Sequence, residues 1–247
     1  MVKERRNFWL EFDIRNHFKL GPVKYHNVVA SIKGTKYPDE YVIISGHLDS
    51  YDVATGGIDC GTGIGPMMEA ARMIALSGAK PKRTILFVAF AGEEFGLLGA
   101  KSYVKTHAKE LGKIANLFNR DGGPTPPVGI SVPQAMYDDF VEVCKPVKEI
   151  RADYPFEVKV AKPFKTSYSK RWYGCQCFCS GRSAYFWFNT QDIKGYNFSY
   201  GEIWHTERDL YTKNIPEYQE HAATVTAVVA LGIANLSKQL SREECTK

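Results

Sequence analysis

The chain has no run of eighteen apolar residues, and no apolar stretch follows its charged start, Met1 to Arg6. The first absence excludes a membrane-spanning helix, and the second leaves no export signal to read, so a soluble chain without a membrane span is expected. No internal repeat and no low-complexity linker divides the sequence, which argues against a solenoid and against a string of small modules. No basic helix or aromatic-interleaved basic motif accompanies the formal charge of +5, so the scattered lysines and arginines read as a solvated face and nucleic acid is not an expected partner. Paired Cys-x-x-Cys loops are also missing. Of the six cysteines, Cys60, Cys144 and Cys245 stand alone. Cys175, Cys177 and Cys179 alternate as on one face of a strand, and they read as partly buried free thiols, with a disulfide or a metal site as the alternatives.

With 247 residues, 44% of them hydrophobic, the chain can bury one large core, and a single domain over residues 1–247 is expected. Alternation of apolar and polar residues predicts edge strands at Asn7 to Ile14 and Asn27 to Lys33. Turn chemistry fills Gly34 to Glu40. The continuous apolar runs Tyr41 to Ser45 and Thr84 to Phe90 suit strands covered on both faces, and Ile114 to Asn119 suits a shorter one. Between them, helical spacing recurs from Gly65 to Gly78 and from Leu97 to Lys109. Pro133 opens a helix that runs towards Pro146, and Pro216 opens a long one. Ala152 to Asn197 is the least regular stretch, read as strands with long loops. The rhythm is that of an α/β fold with a central mixed, mostly parallel β-sheet sandwiched by helices.

Each strong strand ends in polar residues of one chemical type. His47, Asp59, Glu94, Asp121 and His205 all stand at strand ends or in glycine-flanked turns, where an α/β protein projects ligands. Two histidines and three carboxylates are what two divalent ions held ~3.5 to 4 Å apart require, with one carboxylate shared. Asp59, flanked by Gly56-Gly57 and Gly61-Thr62-Gly63, suits the shared position. Adjacent Glu93 and Glu94, in an extended loop, point apart, so that one can bind metal while the other takes a proton. Asp49, two residues beyond His47, is placed to receive the imidazole's other N–H. His107 and His221 lack carboxylate companions on their helical stretches and read as ordinary structural residues.

The segments Gly46-His47-Leu48-Asp49-Ser50, Gly57-Ile58-Asp59, Ala91-Gly92-Glu93-Glu94-Phe95-Gly96-Leu97-Leu98-Gly99, Asn119-Arg120-Asp121 and His205-Thr206-Glu207-Arg208-Asp209 resemble those of the M28 family of zinc metallopeptidases. The similarity extends over roughly Asn27 to Leu240 and is closest to the branch of glutamate carboxypeptidases and their protease-associated-domain relatives. That resemblance implies the zinc-exopeptidase architecture of phosphorylase/hydrolase type, two zinc ions, and hydrolysis of a peptide or dipeptide by a metal-bridging hydroxide. It implies terminal ligands at His47, Glu94, Asp121 and His205, a bridging Asp59 and a general base at Glu93. Members of the branch often carry a further domain and a leader, so the resemblance implies a catalytic domain cut from a longer, secreted or periplasmic protein.

Three departures from the family pattern stand out. Cys60 follows the bridging aspartate, where it is a possible soft ligand or oxidation site. Ser180-Gly181-Arg182 replaces a Ser-Asp-His common in aminopeptidases of the family, leaving aminopeptidase and carboxypeptidase both open. Arg182 is a candidate reader of a substrate carboxylate, with a structural ion pair or a solvated side chain as the plain alternative. Trp204 stands where some relatives have a tyrosine that stabilises the tetrahedral intermediate, so Tyr200 or Tyr196 is the candidate for that role. The rival readings are a single-zinc acyltransferase of glutaminyl cyclase type and a non-catalytic receptor or binding domain of the same fold.

Overall fold

The computed structural model describes residues 9–17, 19, 21–161 and 185–241. The expectations that concern Cys175, Cys177, Cys179, Arg182 and Cys245 lie outside them. Four strands and a two-residue fifth form the main sheet: β1 (Val28–Ile32), β2 (Tyr37–His47), β3 (Arg83–Phe90), β4 (Ile114–Asn119) and β7 (Tyr185–Phe186), in the order β1-β3-β2-β4-β7. Only β1 runs antiparallel to its neighbour; the β3-β2, β2-β4 and β4-β7 pairs are parallel. A second sheet sets β5 (Pro127–Val132) between β6 (Glu157–Val160), parallel to it, and β8 (Phe188–Thr190), antiparallel.

The centre of the main sheet is apolar on both faces because Val42, Ile43 and Ile44 in β2 and Ile85, Phe87 and Val88 in β3 are all buried. Parallel strands need this, since their crossover helices cover both sides. On one face lie α1 (Gly61–Leu76), α3 (Tyr137–Ile150) and α4 (Pro216–Ala234), which contribute Met67, Ile74, Phe140, Val143, Val225 and Val229 to the larger core. On the other lies α2 (Leu98–Thr106), with Ala100 and Tyr103 against Ile43, Val88 and Leu117. Gly78, at φ +69°, ends the first of these helices in the left-handed region, and Pro216 begins the last. Among the described residues, no helix is long and apolar enough to cross a membrane.

Several boundaries differ from the sequence reading. Residues 9–14 form no strand, and Trp9, Leu10, Phe12 and Ile14 are exposed. Their alternation satisfies the period of a strand without a neighbour to pair with, whereas Val28–Ile32 pairs with β3 residue by residue. Strand β2 begins at Tyr37, inside the stretch read as turn, and Pro146 lies within α3 rather than at its end.

One side chain closes the loop that will carry two of the site's glutamates. Asn27 Oδ1 accepts the Ala91 N–H at 3.0 Å, and its Nδ2 donates to the Gly99 carbonyl at 3.0 Å, bracketing residues 92–98. Replacing Asn27 by alanine leaves a donor and an acceptor without these partners and is expected to lower stability by about 1–3 kcal/mol, measured by urea denaturation; an unchanged midpoint would show that the bracket contributes nothing.

Candidate metal centre

The parallel register of β2, β3 and β4 brings their C-terminal ends together. His47 pairs with Phe90 and Ser45 with Asn119, so the residues that follow Phe90 and Asn119 emerge beside His47. Leu48 N–H continues the ladder for one step by donating to Phe90 O, and Arg120 N–H does so to Ser45 O. From these ends the chain delivers His47 and Asp59, then the Glu93-Glu94 turn, then Asp121; the loop before α4 returns His205.

Four of these five candidate ligands meet around His47, and the fifth joins through Glu94. His47 Nε2 lies 2.9 Å from Asp59 Oδ1 and 3.4 Å from Asp121 Oδ1. Ligand atoms of His47, Asp59 and Glu94 all fall within 4.8 Å of one another, and His205 Nε2 lies 2.9 Å from Glu94 Oε2. Glu93, beside them, lines a small cavity with Gly46, His47, Phe90, Leu97, Ala100 and Asn119.

Cys60 also reaches the cluster. Its buried thiol donates to Arg120 O at 3.2 Å, and its sulfur belongs to a second group with His47 and Asp121 within 4.8 Å. Tyr200 donates its phenol to Asp59 Oδ2 at 2.8 Å.

The electrostatics are those of buried acid. Burial pushes both Glu93 and Glu94 up to about 7, with neighbouring carboxylates adding to the effect. Burial opposes a charge on His47, but Cys60, Asp121 and Asp59 outweigh it and hold the imidazolium well above its ordinary range. Desolvation likewise raises Asp121 and the Tyr200 phenol, which stays a donor.

The residues fit a divalent ion on two counts. Glu94 Oε1 is buried without a hydrogen-bond partner, and the donors are imidazole nitrogen and carboxylate oxygen, the ligand types that zinc takes in catalytic sites. His47 is oriented for that use. Its Nδ1 faces the Asp49 carbonyl at 2.9 Å, which can only accept, so Nδ1 carries the hydrogen and a neutral ring turns its Nε2 lone pair to the carboxylates.

Asp49 does this through its backbone carbonyl, while its carboxylate stays 3.9 Å from Nδ1. The carboxylate is engaged elsewhere: Oδ1 accepts the Glu93 N–H at 3.0 Å and Oδ2 the Glu94 N–H at 3.1 Å. The two glutamates therefore sit on a turn, closed by the Gly96 and Leu97 N–H groups on Glu93 O, rather than in an extended loop.

A second aspartate repeats the device. Buried Asp209 accepts Ile58 N–H at 2.7 Å and Asp59 N–H at 3.1 Å, and its backbone carbonyl receives Thr55. It stands four residues after His205, in a motif that was legible without its function being so. His107 and His221 stay out of the site: His107 stacks on Tyr103, and His221, wholly buried, bonds Pro127 O.

Histidines and carboxylates that converge at the ends of parallel strands make this an α/β fold with a candidate metal centre. The comparisons are specific. Peptidase family M28 matches residues 27–229, and the chain belongs to that family. Carboxypeptidase Q of Xenopus laevis is 31% identical over 235 residues, which cover 91% of this chain and 46% of that protein. The crystal structure of a peptidase M28 precursor from Shewanella amazonensis superposes with a TM-score of 0.73 at 29% identity, over 87% of this chain and 46% of that one. A zinc aminopeptidase from Bacillus subtilis matches at TM-score 0.62 and 22% identity, over 87% and 52% of the two chains, and speaks for the fold alone. The chain spans about half the length of the relatives it matches.

Asp209→Asn puts an amide N–H against a backbone N–H and is expected to cost about 1–3 kcal/mol and to loosen the Asp59 turn. Thermal unfolding of the metal-free protein reads the first effect and metal content the second; parent-like values in both would remove Asp209 from the scaffold of the site.

Proposed function

We propose that this chain forms the catalytic domain of a two-zinc exopeptidase that hydrolyses peptides or dipeptides. The observation that carries the reading is the convergence of His47, Asp59, Glu94, Asp121 and His205, with Glu93 beside them. By proximity, His47 and Asp121 would hold one ion and Glu94 and His205 the other, with Asp59 within reach of both. Bound zinc supplies Lewis-acid polarisation of the scissile carbonyl and lowers the pKa of the attacking water to ~7.

The remaining steps fall to the chain's own groups. Glu93, held by its amide on Asp49, accepts the proton from the water and passes it to the leaving amine, a task suited to a carboxylate whose pKa burial has brought near neutrality. Tyr200, whose protonated phenol donates to Asp59 Oδ2 at 2.8 Å, would leave that acceptor to donate to the oxygen that gains charge, the role left open by Trp204. Arg182, outside the described residues, is from the sequence the candidate reader of a substrate carboxylate, a task that a guanidinium suits. The whole protein's address follows the same reading, a secreted or periplasmic compartment.

Metal analysis of protein purified without chelators is expected to give two zinc ions per chain and, for Asp59→Ala, a loss of metal. A parent content near one would favour single-zinc acyl-transfer chemistry instead. Glu93→Gln is expected to keep its metal while kcat falls by ~10² to 10⁴; parent-like turnover would remove Glu93 as the base.

The direction of cleavage is tested on paired substrates, one with a free C-terminal carboxylate and one with an amide. Arg182→Ala is expected to slow only the first. Equal loss on both, or none, would favour an aminopeptidase with an amine-binding pocket.

A further inference from the structure

The two candidate histidine ligands are held in different ways. His47 is almost wholly buried, its side chain 3% exposed, and a hydrogen bond from Nδ1 to the Asp49 carbonyl fixes its ring plane. His205 is at the rim, its side chain 33% exposed, on a backbone at φ +57°, and among the described residues its Nδ1 makes no hydrogen bond. A ligating imidazole normally needs such a second contact, because rotation about two side-chain torsions otherwise swings the donor atom away from the ion.

Stacking takes the place of that bond. The Tyr51 ring lies parallel to the His205 imidazole, with centroids 4.2 Å apart and planes within 4°. The Trp204 indole approaches the same ring at 4.3 Å, tilted by 34°. Two rings cannot share one face at such separations, so the imidazole lies between them, free to slide in its plane but not to turn out of it. In this position Nε2 meets Glu94 Oε2 at 2.9 Å.

We propose that Tyr51 is a positioning residue for the metal held by Glu94 and His205, acting by ring stacking on His205, with Trp204 on the other face. The inference rests on the assignment of His205 as a ligand. Tyr51 is itself 41% exposed and sits in the turn that joins the His47 strand to the Asp59 loop, so it also ties the rim histidine to the segment that carries the other ion's ligands. Its hydroxyl has no part in the argument, and phenylalanine should serve as well.

Chelator competition with zinc, and the visible spectrum of the cobalt-substituted protein, test this without relying on turnover. Tyr51→Leu keeps apolar bulk but removes the flat ring, and is expected to weaken one of the two ions by about 10-fold or more and to change part of the cobalt spectrum. Tyr51→Phe is expected to match the parent in both. Parent-like affinity and spectrum in Tyr51→Leu would overturn the proposal, as would an equal loss in Tyr51→Phe. Tyr51→Ala provides the same comparison should the leucine variant not fold. His205→Ala separates the premise from the inference: it should lose the same ion outright, and if it keeps both ions at parent affinity, the ligand assignment falls and the proposal with it.

Discussion

Carboxylates gathered in a buried place repel one another and lose their hydration, and the geometry of this protein turns on how that cost is met. Asp59, Asp121, Glu93 and Glu94 crowd around His47 at the strand ends. Without a cation, the cluster holds charge down by other means: burial brings both glutamates to about 7, and the imidazole is drawn towards its protonated form. A divalent ion reverses the balance, since it favours the ionised carboxylates and takes the lone pair that the proton otherwise holds. The strands thus gather carboxylates around one imidazole, and not every oxygen among them finds a partner. Glu94 Oε1, buried without a partner, is the most direct sign of it.

Such a site has to be held against its own repulsion, and two other aspartates do this by facing the backbone. Asp49 takes the amides of Glu93 and Glu94, and Asp209 those of Ile58 and Asp59. Each grips a turn from a distant part of the chain, one carrying Asp59 and the other Glu94, whose carboxylates lie in the cluster. The acidic residues accordingly divide by what they face. Asp49 and Asp209 meet backbone N–H groups, Asp59 and Asp121 meet His47, and Glu94 keeps one buried oxygen without a partner.

This division explains which features were legible in the sequence. The apolar runs of β2, β3 and β4 announce themselves because a strand covered on both faces admits little else, and the polar residues that end them mark the site. Alternation alone is weaker: residues 9–14 carry the pattern of Val28–Ile32 and lack its partner, so only the second is a strand. A side chain and a backbone carbonyl of one residue are equally near in sequence, so only folded geometry shows that the carbonyl of Asp49 takes the imidazole. Asp209 reaches Ile58 and Asp59 across about 150 residues of chain, and no local pattern records that contact. The stack of Tyr51 on His205 is hidden for the same reason.

The same contacts make the two ends of the cluster unequal. His47 is buried at the end of β2, and beside it Gly63 leaves no room for a side chain, since a β-carbon there would lie 2.3 Å from Arg120 O and 2.5 Å from Cys60 Sγ. His205 stands at the rim, its side chain 33% exposed, against the half-exposed rings of Tyr51 and Trp204. A packed interior yields little to a passing ligand, whereas loops at a rim, held by stacking and a few turn hydrogen bonds, open at lower free energy. Of the two histidines it is His205 that stands at the more exposed edge, and the aromatic rings stacked on it are what order that edge.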